Sequence, residues 1–254
     1  MSKAISYLLI FVGIQICGGS VVSGLWSLLS GSSDTTAAML IASTAVVSVI
    51  TITVFLLTRW TTVSPRWLRT RPWLVLFWSS VAAIGGVIPS AWLQESMPEL
   101  PNWMESEFDQ ILRNRWGYFS IGLLAPLAEE VVFRGAILKS LLGRLSPWTA
   151  IILSAVLFAL IHFNPIQMPH AFLCGMLLGW MYWRTGSILP GIAFHWVNNS
   201  VAYVIYNLYP TPELRLIDFF GTNQRVAMAV VCSLLILLPA IYQLHLWLRP
   251  AGKS

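Results

Sequence analysis

Six residues suited to acid–base and hydrogen-bond chemistry recur at helical spacing inside apolar sequence. They are Glu129, Glu130 and Arg134 in Glu-Glu-Val-Val-Phe-Arg, His162 four residues after Phe158, and His195 four residues before Asn199. Burying a charged side chain at a bilayer centre costs about 2.5 to 3.5 kcal/mol even on the lenient insertion scale, so each such group needs a reason to be there. Glu130 and Arg134 stand four apart, on one helical face, with the carboxylate N-terminal to the cation as the favoured pair requires. Glu129 lies about 100° further round and is expected to face a cavity that Glu130 does not. A carboxylate in a water-poor cavity can take a proton from water, with a histidine to hold or polarise that water. Glu129 and His162 suit those roles. His195 and Asn199 can both donate hydrogen bonds to the oxyanion that develops on a scissile carbonyl. The set can therefore hydrolyse an amide without a serine or cysteine nucleophile.

Metal chemistry is the alternative, because Glu129, His162 and His195 could form a His2Glu zinc set with a fourth position left for water. There is no HExxH to give that reading independent support, and the metal-free route is favoured. Cys17, Cys174 and Cys232 lie inside apolar runs without metal-ligand spacing and read as small buried hydrophobes. Gly175 and Gly179 form a GxxxG, which points to close helix packing. His170 and His245 fall near predicted membrane boundaries, where a ring tip can reach water.

Elements must position these groups, and the chain is built for a membrane: 57% of its 254 residues are hydrophobic and 10% charged. A hydrocarbon core of about 30 Å takes about twenty helical residues to cross. Eight apolar segments approach that length, over residues 5–29, 37–57, 73–93, 116–142, 146–164, 169–183, 188–207 and 226–247. The first follows Lys3 as a signal peptide would, but it is too long for one and lacks an A-x-A-like cleavage site. Pro126 should kink the fourth segment and leave the carbonyl of Gly122 in search of another partner. At 1.5 Å per residue, Glu129, His162 and Asn199 come out about 20 Å from one face of the bilayer and His195 somewhat lower, so one layer can hold all four.

The charges alternate with these segments. Lys3, Arg59, Arg66, Arg69, Arg71, Lys139, Arg144, Arg184, Arg249 and Lys253 fall on one side with both termini, and no acidic residue joins them. The other side holds Asp34, Glu95, Glu99, Glu105, Glu107, Asp109, Glu213 and Asp218, with Arg113, Arg115, Arg215 and Arg225. Cytoplasmic loops collect Lys and Arg, so both termini are expected in the cytoplasm. The net charge of +5 is dispersed between apolar segments rather than gathered in a patch, which argues against a nucleic-acid partner. The expected architecture is all-α and polytopic, with about eight transmembrane helices. Residues 1–114 supply helices one to three and an acidic loop, 115–207 a core of helices four to seven, and 208–254 a loop and the last helix.

The ordered motifs EExxxR at Glu129–Arg134, FxxxH at Phe158–His162 and HxxxN at His195–Asn199, on separate transmembrane segments, resemble the CPBP family. These are the CAAX proteases and bacteriocin-processing enzymes, also called the abortive-infection family. The resemblance covers about residues 115–205. It implies a glutamate base at Glu129, a partner acid at Glu130 held by Arg134, a water-positioning His162, and an oxyanion site at His195 and Asn199. It also implies a membrane-embedded or lipidated protein or peptide as substrate, the lipid bilayer as surroundings, and a bacterial plasma (inner) membrane as location. The family is described both as metalloprotease and as metal-independent glutamate protease, so zinc stays open beside the favoured cofactor-free route. Two other readings stand: a transporter with Glu129, Glu130 and the histidines as an ion relay, and a non-catalytic scaffold or immunity protein. The transporter would show paired halves with matching helix breaks, and the sequence has none.

Overall fold

A computed structural model describes residues 2–63, 72–209 and 215–248. Arg66, Arg69, Arg71, Glu213, Arg249 and Lys253, used above to argue topology, lie outside the described residues. The described residues are all-helical, without strands, and every one of the eight expected segments is helix.

The first segment runs through α1 (Ser2–Gly13), a π-helical stretch π1 (Ile14–Gly18) and α2 (Gly19–Ser30). Thr36 then caps α3 (Ala37–Leu57) by accepting from the Met39 N–H. Next come α4 (Trp73–Glu95) and a short helix not expected from the sequence, α5 (Glu105–Leu112). The fourth segment is not one regular helix. It alternates π2 (Tyr118–Leu124), α6 (Ala125–Val132), π3 (Phe133–Leu138) and α7 (Lys139–Leu142). There follow α8 (Pro147–Leu160), α9 (Met168–Thr185), α10 (Leu189–Leu208), a second short helix α11 (Leu216–Phe220), and α12 (Asn223–Trp247).

By length and composition, Lys3–Ser30, α3, α4 and α12 are long and apolar enough to cross a membrane, and α8 is a shorter apolar helix. Their outward residues are large and greasy, among them Leu9, Leu25, Leu28, Leu235 and Leu238, more than half exposed. Such a surface is unstable in water and natural in lipid. The protein is an integral membrane protein.

The packing turns on α6. Helix α3 lies along it on one side and α10 on the other, while α8 and α9 pack as a pair behind π3. Gly175 and Gly179 make that pair possible, since a Cβ on Gly175 would press on Ala155 and one on Gly179 on Ile151. The GxxxG is thus a packing motif, as its spacing suggested. Outside the core, α5 is tied to the end of α10: the Tyr206 hydroxyl donates to Asp109, and the Asn207 amide to the Leu112 carbonyl. The Arg113 guanidinium beside Asp109, 2.8 Å away, together with the Tyr206 hydroxyl, holds that carboxyl below the usual carboxylate range.

Candidate active site

Glu130 is fully buried and its Oε1 is the hub of the site. Arg134, also buried, donates Nη1–H to it at 2.9 Å, one helical turn on, as the sequence spacing required. The remaining donors of Arg134 are spread: Nη2 reaches the Gly175 carbonyl at 3.4 Å, and the guanidinium lies 4.4 Å over the Phe158 ring. Glu130 Oε2 faces Gly191 of α10 so closely that a Cβ there would collide with it. Glycine is required at 191 for α10 to come this near.

His195, on α10, completes the cluster. Its Nδ1 meets Glu130 Oε1 at 3.2 Å and its Nε2 stands 3.6 Å from Glu129 Oε2. The sequence reading put the two glutamates on different business. Instead both carboxylates address the same imidazole, one at each ring nitrogen. The Nδ1–H donates to Glu130, which fixes the ring's orientation. Nε2 is thereby aimed at Glu129 Oε2. Glu129 alone of the two acids keeps partial exposure, its side chain 19% accessible.

His162 was expected on the fifth span. Helix α8 ends at Leu160, and His162 sits in the turn beyond it, where Phe163 adopts a left-handed φ of 49°. The i to i+4 relation survives the turn: the His162 Nδ1–H donates to the Phe158 carbonyl at 2.8 Å. That leaves Nε2 with its lone pair directed away from the helix and, among the described residues, without a hydrogen-bond partner. Buried Asn164 anchors the turn from the far side, accepting from the Trp103 N–H and donating to Asn102. Phe158 is the common support of the site, its ring edge-on to His162 at 5.0 Å and to His195 at 5.8 Å.

Asn199 has a structural partner of its own, donating Nδ2–H to the Ile121 carbonyl at 3.0 Å. The reason lies in π2. There the Ala125 N–H reaches back five residues to Ser120, so the next bond in that register would run from residue 126 to Ile121. Residue 126 is proline and has no N–H. The expected orphan at Gly122 is therefore corrected by one residue to Ile121, and Asn199 supplies the missing donor. One Nδ2 hydrogen of Asn199 remains for other work.

A polar chain that sequence reasoning missed lies behind Asn199. Asn198 donates to Asn199 Oδ1 at 3.3 Å and to His170 Nε2 at 3.2 Å, while His170 Nδ1 is bonded to Ser90 Oγ on α4. His170 is thus a half-buried member of a network between helices. The only sequence sign was the repeated asparagine at 198 and 199 beside a histidine on a neighbouring helix.

Comparison with known proteins bears on the same segment. Residues 112–201 match the family described as Type II CAAX prenyl endopeptidase Rce1-like. That segment of the chain is similar to the Rce1-like family. A curated relative, the UPF0177 protein YxdF of Lactococcus lactis subsp. lactis (strain IL1403), is 29% identical over 104 residues. That alignment takes in 40% of this chain and 52% of the relative, so the chain spans about half the length of the curated relative it matches. The Rce1-like segment contains every residue of the cluster from Glu129 to Asn199, and the match agrees with the CPBP resemblance carried by the three motifs.

Proposed function

We propose that this protein is an intramembrane endopeptidase of the glutamate type, hydrolysing a peptide bond of a membrane-embedded or lipidated protein or peptide. The observation that carries the reading is His195 set between Glu129 and Glu130, with Arg134 balancing the buried acid. Glu129 Oε2 takes a proton from a water as the water oxygen attacks the scissile carbonyl carbon, and His162 Nε2 accepts a hydrogen bond from that water and holds it in place. His195 Nε2 shares the proton with Glu129 across their 3.6 Å gap and returns it to the leaving amine. The free Nδ2 hydrogen of Asn199, with protonated His195, stabilises the oxyanion in between.

The alternative zinc set of Glu129, His162 and His195 finds no such support. Among the described residues no three His, Cys, Asp or Glu side chains stand together as a metal-holding group. His195 Nδ1 faces Glu130, which lies outside that set, and its Nε2 faces Glu129, which belongs to it.

The matched family's description as a prenyl endopeptidase makes prenylated peptides the first substrates to try, beside unmodified membrane-anchored ones. The Lactococcus relative favours a bacterial setting, and a plasma membrane is the reading that goes with it. The test is cleavage of such a panel in liposomes by wild type, Glu129→Gln and His162→Ala, with and without chelator. Removing a general base should lower turnover about a hundredfold or more, with chelator changing nothing. A Glu129→Gln variant that cuts as fast as wild type would defeat the mechanism. Loss of cleavage on chelation would restore zinc, and a wild type that cuts nothing would leave the scaffold reading in its place.

A further inference from the structure

At the end of the molecule opposite α5, four cations converge on one cleft of about 480 Å³: Lys3 of α1, Arg59 after α3, Lys139 of α7 and Arg144 beyond it. Tyr7 and Trp60 line the same cleft. A basic bias at one end of a membrane protein follows from topology alone. Convergence on a single built concavity does not. Trp60 is wedged between Tyr7 and Phe55, with ring centroids 5.1 and 5.2 Å apart. Buried Thr61 donates its hydroxyl to the Val131 carbonyl at 2.5 Å and its N–H to Phe55. Between these anchors and α3, Arg59 holds a left-handed φ of 58°, an uncommon backbone state for a residue with a Cβ. The loop is thus fixed in a strained form that brings a fourth cation to the cleft.

Among the described residues no acidic side chain pairs with any of these four cations. The cleft has no acidic lining residue, and the sequence places no acid on this side of the membrane. The side chains of Lys3, Arg59, Lys139 and Arg144 are exposed, so an anion can reach them without opening the fold. The two aromatic rings are amphipathic groups that sit well at headgroup level.

We propose that this cleft is a binding site for the phosphate group of an anionic phospholipid. It is independent of the proteolytic reading: a lipid held here ties α1, the end of α3 and α7 together beside π3, whether or not the protein cuts a substrate. Phosphate is the chemistry the four cations recognise. The lipid, rather than a soluble phosphate, is its source, because the cleft opens at the end of membrane-crossing helices.

The full-length protein in mild detergent should show one saturable site for phosphatidylglycerol in titrations followed by native mass spectrometry, with phosphatidylcholine bound far more weakly. Each basic group near a membrane surface is worth about fivefold in lipid binding, so Lys3→Gln/Lys139→Gln/Arg144→Gln should weaken phosphatidylglycerol binding about a hundredfold. Arg184, a cation bonded to the Leu248 and His245 carbonyls outside the cleft, is the control, and Arg184→Gln should keep the wild-type preference. Unfolding midpoints of the variants in detergent should match wild type, since the altered side chains are exposed. The proposal is overturned if phosphatidylcholine binds equally, if the triple variant keeps its preference, or if Arg184→Gln costs as much as the cleft variants, which would mark diffuse surface attraction. It is overturned as a lipid site if inorganic phosphate displaces phosphatidylglycerol at equal concentration.

Discussion

Glu130 and Arg134 show how a single pair can be affordable in a membrane core and still fragile. The ion pair is 2.9 Å long with both side chains essentially inaccessible, yet Glu130 Oε2 and Arg134 Nε have no hydrogen-bond partner. Removing one member of a buried pair leaves a bare charge and costs about 3 to 5 kcal/mol, whereas replacing both by apolar groups is often close to neutral. Arg134→Leu should therefore unfold far more readily in detergent than wild type. The double variant Glu130→Leu/Arg134→Leu should recover most of that loss while remaining inactive, because His195 loses the acid that orients it. Denaturant midpoints for the single and double variants measure this. Equal destabilisation of the two would mean that the pair contributes packing and not charge compensation.

At the scale of the element, the fourth segment decides how much could be read in advance. Its acid pair, its proline and the existence of a freed carbonyl were legible, since spacing and the missing N–H of Pro126 dictate them. The two π stretches were not, because an i to i+5 register leaves no mark in hydrophobic period over so few residues. The first of them displaced the orphan from Gly122 to Ile121. The chain through Asn198 and His170 was equally silent, since neighbours from different helices meet only in the fold. If Asn199 replaces the bond that Pro126 cannot make, Asn199→Leu should cost about 1 to 3 kcal/mol by stranding the Ile121 carbonyl. In a Pro126→Ala background the restored N–H can serve that carbonyl, so the same substitution should cost less. A double-mutant cycle in unfolding free energy should show coupling of about 0.5 to 3 kcal/mol. Strict additivity would separate Asn199 from the proline.

For the whole molecule, orientation follows from where the charges gather. Lys3, Arg59, Lys139 and Arg144 meet at one cleft. At the other end Glu95 accepts from the Leu216 N–H at the start of α11, and Asp109 is locked with Arg113 and Tyr206 beside α10. Short loops rich in Lys and Arg stay in the cytoplasm, while acidic residues contribute little to the choice. The cleft end should face the cytoplasm, with α5 on the far side. Cysteines introduced at Ser106 in α5 and at Gly143 beside the cleft report on this, since both positions are exposed. In intact cells an impermeant thiol reagent should label position 106 and leave 143 untouched until the membrane is opened. Labelling of 143 alone would invert the molecule, and labelling of both from outside would mean that the helices between them cross an even number of times rather than an odd one.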